Sequence, residues 1–174
     1  DVAKWKEALE SEPDVWNRLA WLLIGQSGWR PGHVAGLRWS HVEEDETGQP
    51  VRISEDDGLK AGFKTAAGVH WHLPPDVRKA LADWHKATPA KGANDPVLPR
   101  RNARTKDWDT KRGADQRCLG TAWRQLETKW GLPHLTPKDL RHFAATACRK
   151  AGLSYQASAA MMGHDIAGSG AMRD

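Results

Sequence analysis

The stretch Thr136-Pro137-Lys138-Asp139 gathers residue types that could handle an anion. It reads as a capping box with proline at the first helical position, opening a helix to about Lys150. Lys138 and Arg141 stand three apart, so they share one face of that helix within its first two turns. A helix N-terminus is already partly positive, and cations there are disfavoured unless an anion sits between them. Free backbone N–H groups at the same end favour such an anion. Arg30, at the start of another helix after a Gly-Trp turn, is a second candidate anion site, weaker when taken alone. Lys64, in the turn Gly62–Gly68, reads as an exposed lysine, and His164, just past Gly163, as a capping or packing histidine. Taken singly, Lys138, Arg141 and Arg30 also fit ordinary surface cations. His70 and His72 share one strand face, but no carboxylate or cysteine joins them at a metal-ligand spacing, which argues against a metal centre.

The elements that must position these groups follow from apolar periodicity. Residues 1–10 read as a short amphipathic helix. Ser11-Glu12-Pro13-Asp14 resembles a capping box and opens a helix with Val15, Leu19, Leu22 and Leu23 on one face. Gly25 to Gly28 loosens its end, and Pro31 starts a short helix with Arg30 at its cap. Trp39–Val42, Val51–Ile53 and Val69–Leu73 read as three strands of a small antiparallel sheet. Pro75 opens a helix to about Lys86, residues 87–115 read as loop, and residues 116–130 as helix. A last helix covers Ser154 to Met162. The expected class is mostly α with a small three-stranded antiparallel β-sheet.

Composition bounds the function. The chain has 174 residues, 39% of them hydrophobic, which is enough for one domain with its own core. The longest apolar run, Leu19 to Ile24, is six residues, far short of a membrane span. No signal peptide opens the chain, and Cys118 and Cys148 make no spaced pair, so a reducing cytoplasm is the expected compartment. The chain opens on Asp1 rather than methionine, and a piece of a longer protein is expected. Charge is uneven. Glu43–Asp57 holds seven acids against Arg52, a net of −6, which leaves +10 on the rest because the whole chain carries +4. The densest basic stretch is Arg100, Arg101, Arg104, Lys106, Lys111 and Arg112, and it points to a polyanionic partner. The ten tryptophans read as core or half-buried residues rather than a base-stacking array.

The order of these groups carries a resemblance. Gly28-Trp29-Arg30 followed by Leu37-Arg38-Trp39-Ser40 resembles the first arginine box of the tyrosine recombinases, also called phage integrases. Phe63-Lys64-Thr65 resembles that family's sheet lysine. Leu135-Thr136-Pro137-Lys138-Asp139-Leu140-Arg141-His142 is similar to its second arginine box, and Met162-Gly163-His164 to its Leu-Gly-His element. The resemblance implies the recombinase catalytic-domain fold over residues 1–174, without the N-terminal DNA-binding part and without the C-terminal tyrosine segment. It implies site-specific DNA recombination in phage or prophage integration and excision, through a 3′-phosphotyrosyl intermediate and without cofactor or metal. The implied partners are double-stranded attachment sites, in a synaptic tetramer for the full-length protein and as a monomer for this piece. The implied compartment is the cytoplasm of a bacterial or phage-infected cell. Arg30 and Arg141 would fork onto the phosphate, Lys64 would protonate the leaving 5′-oxygen, and His164 would hydrogen-bond a phosphate oxygen.

Three positions depart from the family pattern. Lys138 stands where the second box usually has histidine, and a charged lysine donates protons but accepts none. His33 stands where an acidic residue is usual, three places after Arg30. The nucleophile usually lies about nine residues after the Gly-His histidine, which is Arg173 here, so a tyrosine beyond Asp174 is expected. The sole tyrosine, Tyr155, precedes Gly163 and is expected to pack against the preceding helix. A non-catalytic DNA-binding relative and a type IB topoisomerase-like enzyme are the alternatives.

Overall fold

A computed structural model of the chain describes residues 2–55, 69–102 and 104–162. Helix α1 (Val2–Ser11) leads into α2 (Val15–Ser27) and the short α3 (Pro31–Gly36). A 3-10 turn (Trp39–His41) precedes strands β1 (Val42–Glu44), β2 (Pro50–Glu55) and β3 (Val69–His72). Then come α4 (Pro75–Ala87), strands β4 (Pro99–Arg101) and β5 (Trp108–Gly113), and helices α5 (Gln116–Trp130), α6 (Pro137–Lys150) and α7 (Tyr155–Met161). The mostly helical class with a three-stranded antiparallel sheet, in the order β1-β2-β3, agrees with the sequence reading.

Alternation sets the sheet. Ile53 pairs with Val42 on one side and Trp71 on the other, and Ile53 and Trp71 are buried. Glu43, Arg52 and His72 form the opposite row, where Arg52 Nε donates to Glu43 at 2.9 Å. Helix α2 is the centre of the core: Leu19 and Leu23 are fully buried, and α2 packs on both α4 and α6. Trp5 stacks on Trp21 and Trp123, joining α1, α2 and α5. Eight of the ten tryptophans are buried, and Trp108 and Trp130 pack half-buried against the same core, as the composition led us to expect.

Three local readings are corrected. Ser11 ends α1 instead of opening α2; the cap of α2 is Asp14, whose carboxylate accepts from Asn17 N at 3.1 Å. Pro13 precedes that cap and disfavours helical backbone at Glu12, the first residue past the end of α1. Trp39–His41 winds as a 3-10 turn rather than a strand, since Trp39 Nε1 reaches the Ala90 carbonyl at 2.7 Å. Within residues 87–115, Pro99–Arg101 and Trp108–Gly113 pair as an antiparallel hairpin. Its strands are written mostly in charged and polar residues and lack apolar alternation, the signal by which a strand is read.

Glu12, next to the misread cap, is 2% exposed and accepts from Asp14 N at 3.1 Å, Lys129 Nζ at 2.9 Å and Trp130 Nε1 at 3.2 Å. Burial alone would raise its pKa, but the Lys129, Asp14 and Trp130 donors outweigh burial and hold it below the ordinary glutamate value. A carboxylate depressed in the folded state stabilises above its unfolded pKa, and that stability is lost as pH falls through the folded pKa. Glu12→Gln is therefore expected to flatten the acid limb of a melting-temperature profile. It should also cost about 1–3 kcal/mol near neutral pH, the penalty for weakening buried donors. An unchanged acid limb would remove Glu12 from the linkage.

Candidate phosphate-binding site

The start of α6 is built as a reciprocal cap. The Thr136 hydroxyl accepts from Asp139 N at 3.2 Å, and Asp139 Oδ2 accepts from Thr136 N at 2.7 Å. The Thr136 hydroxyl also donates to Asp139, and these bonds hold the Asp139 carboxyl below its ordinary pKa. The cap read from the sequence is therefore present. It fixes the first turns of α6, where Lys138 is exposed and Arg141 is half-buried.

Arg141 ties the separate segments together. Its Nη1 donates to the Gly28 carbonyl at 3.1 Å and its Nη2 to the Met162 carbonyl at 3.1 Å. Gly28 begins the first arginine box, and Met162 directly precedes Gly163 and His164. Trp29 adds a second tie, donating from Nε1 to the Met161 carbonyl at 2.9 Å while its ring stacks on His33 at 4.3 Å. Burial, and after it the positive Arg30 alongside, lower the Arg141 pKa; a guanidinium stays charged at neutral pH all the same. Two arginines facing each other in this way suit a shared anion.

Arg30, Lys138 and Arg141 line one cavity of about 430 Å³, with Gln116, Gly120 and Trp123 on its other walls. Arg30 caps α3 with its backbone carbonyl, which accepts from His33 N and Val34 N, and its side chain is left exposed at the cavity. Among the described residues, no carboxylate pairs with Arg30 or Lys138. Sequence reasoning passes over Gln116 and Gly120. The one signal was a glycine inside a helix, where it costs stability and calls for another reason. A larger hollow of about 770 Å³ between α1, α2 and α4 is walled by Trp5, Leu9 and Trp21, and its cations Lys6, Arg18 and Lys79 each face a carboxylate, Glu10 or Asp83.

Lys64 and His164 lie outside the described residues. All six residues of the basic stretch fall in the β4–β5 hairpin or its turn; five are exposed as expected of surface groups, and Arg100 is half-buried. Three of them are tied to acids: Arg100 to Asp115 at 3.6 Å, Arg101 to Asp14 at 3.4 Å, and Lys111 to Asp95 at 2.7 Å. Arg104, Lys106 and Arg112 are exposed and, among the described residues, have no ion-pair partner. Tyr155 corrects another reading. It is 66% exposed at the start of α7 rather than packed, beside a groove that it shares with Arg141, His142 and Arg149.

Gly28 permits the close approach of these segments. Its φ is +68°, and a Cβ there would stand 2.8 Å from Ala144 Cβ and 3.2 Å from Met162 Cγ. Gly28→Ala is expected to destabilise the fold by about 2–4 kcal/mol, from left-handed backbone strain plus overpacking. Thermal denaturation checks this, and a variant as stable as the native chain would contradict the packing described.

The chain matches the phage integrase family over residues 3–168. No curated protein matches it. Among solved structures it is similar to XerA recombinase, with a TM-score of 0.71 and 17% identity over 94% of this chain and 54% of that one. It is similar to the XerH site-specific recombinase bound to difH substrate, with a TM-score of 0.66 and 16% identity over 93% of this chain and 44% of that one. It is also similar to a lambda integrase dimer bound to a COC′ core site, with a TM-score of 0.61 and 16% identity over 95% of this chain and 43% of that one. The chain thus spans about half the length of these structures, and at such identities the likeness is one of fold. The match over nearly the whole sequence, on a fold shared with these recombinases, makes the chain a member of the phage integrase family.

Proposed function

We propose that the chain is the catalytic domain of a site-specific DNA recombinase acting in phage or prophage integration and excision. The observation that carries this is the single cavity bounded by Arg30, Lys138 and Arg141. Guanidinium groups fork onto two oxygens, so Arg30 and Arg141 suit a phosphodiester whose charge grows in the transition state. Lys138 adds a point charge at the same helix start. A tyrosine oxygen attacks phosphorus as its proton passes to water, the bond from phosphorus to the 5′-oxygen breaks, a 3′-phosphotyrosyl link forms, and the 5′-oxygen leaves with a proton. Lys64 is the proposed donor of that proton, and His164 the proposed partner of a phosphate oxygen. The attacking hydroxyl is assigned to a tyrosine other than Tyr155. Arg104, Lys106 and Arg112 are proposed to extend backbone contact along the duplex. Arg100, Arg101 and Lys111 serve mainly to hold the hairpin, because each already faces a carboxylate. Double-stranded attachment sites, paired in a four-protomer assembly, are the proposed substrates.

Lys138 also supports a second reading, a DNA-binding relative that clamps phosphate without cutting, because a charged lysine cannot take the tyrosine proton. Both readings predict salt-dependent duplex binding, and covalent adduct formation separates them. In a fluorescence-anisotropy titration, the log–log salt slope should fall by about one for each of Arg30→Ala and Lys138→Ala, as expected when one phosphate contact is lost. Slopes identical to the native chain would remove both residues from the phosphate site.

A further inference from the structure

Glu127 lies outside every box quoted above, yet it is a carboxylate only 8% exposed near the end of α5. Its Oε1 accepts from Leu135 N at 2.9 Å and from Trp123 Nε1 at 2.8 Å, and its Oε2 faces His134 Nδ1 at 3.1 Å. Trp123 Nε1 donates as well to the Leu135 carbonyl. Both polar groups of residue 135 are therefore held from α5, the N–H by Glu127 and the carbonyl by Trp123. Leu135 is followed at once by Thr136, the cap of α6. Trp123 is itself a wall of the cavity that Lys138 and Arg141 line. A buried carboxylate is retained only where donors satisfy it, and here the donors all come from α5 and from the loop that delivers α6.

We propose that Glu127 is a positioning residue for the phosphate site: through Leu135 it fixes where α6 begins and so where Lys138 stands over the cavity. This rests on the phosphate-clamp reading above. A site supported by a locked loop keeps its charges where the ligand needs them, and releasing the loop lets them wander by distances that matter to binding. Glutamine at this position can keep Oε1 as an acceptor for Leu135 and Trp123, whereas alanine removes the acceptor from both.

The test is duplex binding by fluorescence anisotropy with Glu127→Ala, Glu127→Gln, Lys138→Ala and the Glu127→Ala/Lys138→Ala double variant. Melting temperature is measured alongside, so that only folded protein is compared. Glu127→Ala is expected to weaken binding about tenfold, and Glu127→Gln to restore affinity to within about threefold of native. In the Lys138→Ala background, Glu127→Ala should add less than about twofold, because its effect passes through Lys138. A merely structural role would give additive penalties, and additivity overturns the proposal. So does native affinity in Glu127→Ala while Lys138→Ala weakens binding. If Lys138→Ala and Arg30→Ala both leave binding intact, the clamp reading fails and takes this proposal with it. Should the alanine variant not fold, Glu127→Asp withdraws the carboxylate from Leu135 while keeping its charge, and the same outcomes decide.

Discussion

Arg141→Ala is expected to weaken duplex binding by roughly 10- to 100-fold, the loss of a charge-assisted hydrogen-bond pair worth about 1.5–3 kcal/mol. The same change should lower the melting temperature, because the Gly28 and Met162 carbonyls both lose their guanidinium donor. Arg141→Lys separates the two roles. It keeps one positive charge in the cavity, so much of the salt dependence should survive. It cannot fork across two carbonyls, so the thermal loss should persist. In a catalytically complete form of the protein, Arg141→Ala should cost about 3–4 kcal/mol of transition-state stabilisation, the scale of removing one oxyanion donor. Anisotropy and denaturation together check this. Native affinity and native salt slope in Arg141→Ala would place the scissile phosphate elsewhere.

Parts of this arrangement are legible in the sequence because they are local. Thr136 and Asp139 make a cap whose two partners are three residues apart, and the apolar faces of α2, α4 and α5 repeat at helical spacing. The tryptophan content foretold a tryptophan core for the same reason: burying a large ring is favourable wherever it lies along the chain. What the sequence hides is long-range. The bond from Arg141 to Gly28 spans 113 positions, and the Trp29 tie to Met161 spans 132. No periodicity encodes either bond. The β4–β5 hairpin is hidden because its strands are written mostly in charged and polar residues, and strand reading depends on an apolar face. Ser11 was mistaken for a cap because Asp14, three positions later, offers the same chemistry to the helix that does begin there. Tyr155, on the helix before Gly163, is expected from the sequence to pack, but α7 buries Ser158 and Ala159 instead. Two residues to a small-side-chain face leave the tyrosine on the outside.

That exposure sharpens the question of the nucleophile, since an exposed phenol is at least accessible to DNA. Tyr155 opens α7, while the carbonyl that Arg141 grips is Met162, just past the helix end. Seven residues of helix separate them by roughly 10 Å along the axis, at about 1.5 Å per residue. In-line attack needs the reacting oxygen within about 3–3.5 Å of phosphorus, and Tyr155 lines the groove on the other side of Arg141, not the cavity that Arg30, Lys138 and Arg141 share. The 174-residue chain is therefore expected to form no covalent adduct with a nicked duplex designed to trap a 3′-phosphotyrosyl link. Tyr155→Phe should bind duplex within about twofold of native, because the lost hydroxyl contacts neither cation of the site and an exposed substitution changes little. Denaturing gel analysis of the nicked substrate reads the first result and anisotropy the second. The remaining electrostatics cannot stand in for the nucleophile, because covalent catalysis requires the attacking oxygen itself. An adduct that maps to Tyr155 and disappears in Tyr155→Phe would move the phosphate to the groove that Arg141 shares with His142 and Arg149, and would remove Arg30 and Lys138 from the site.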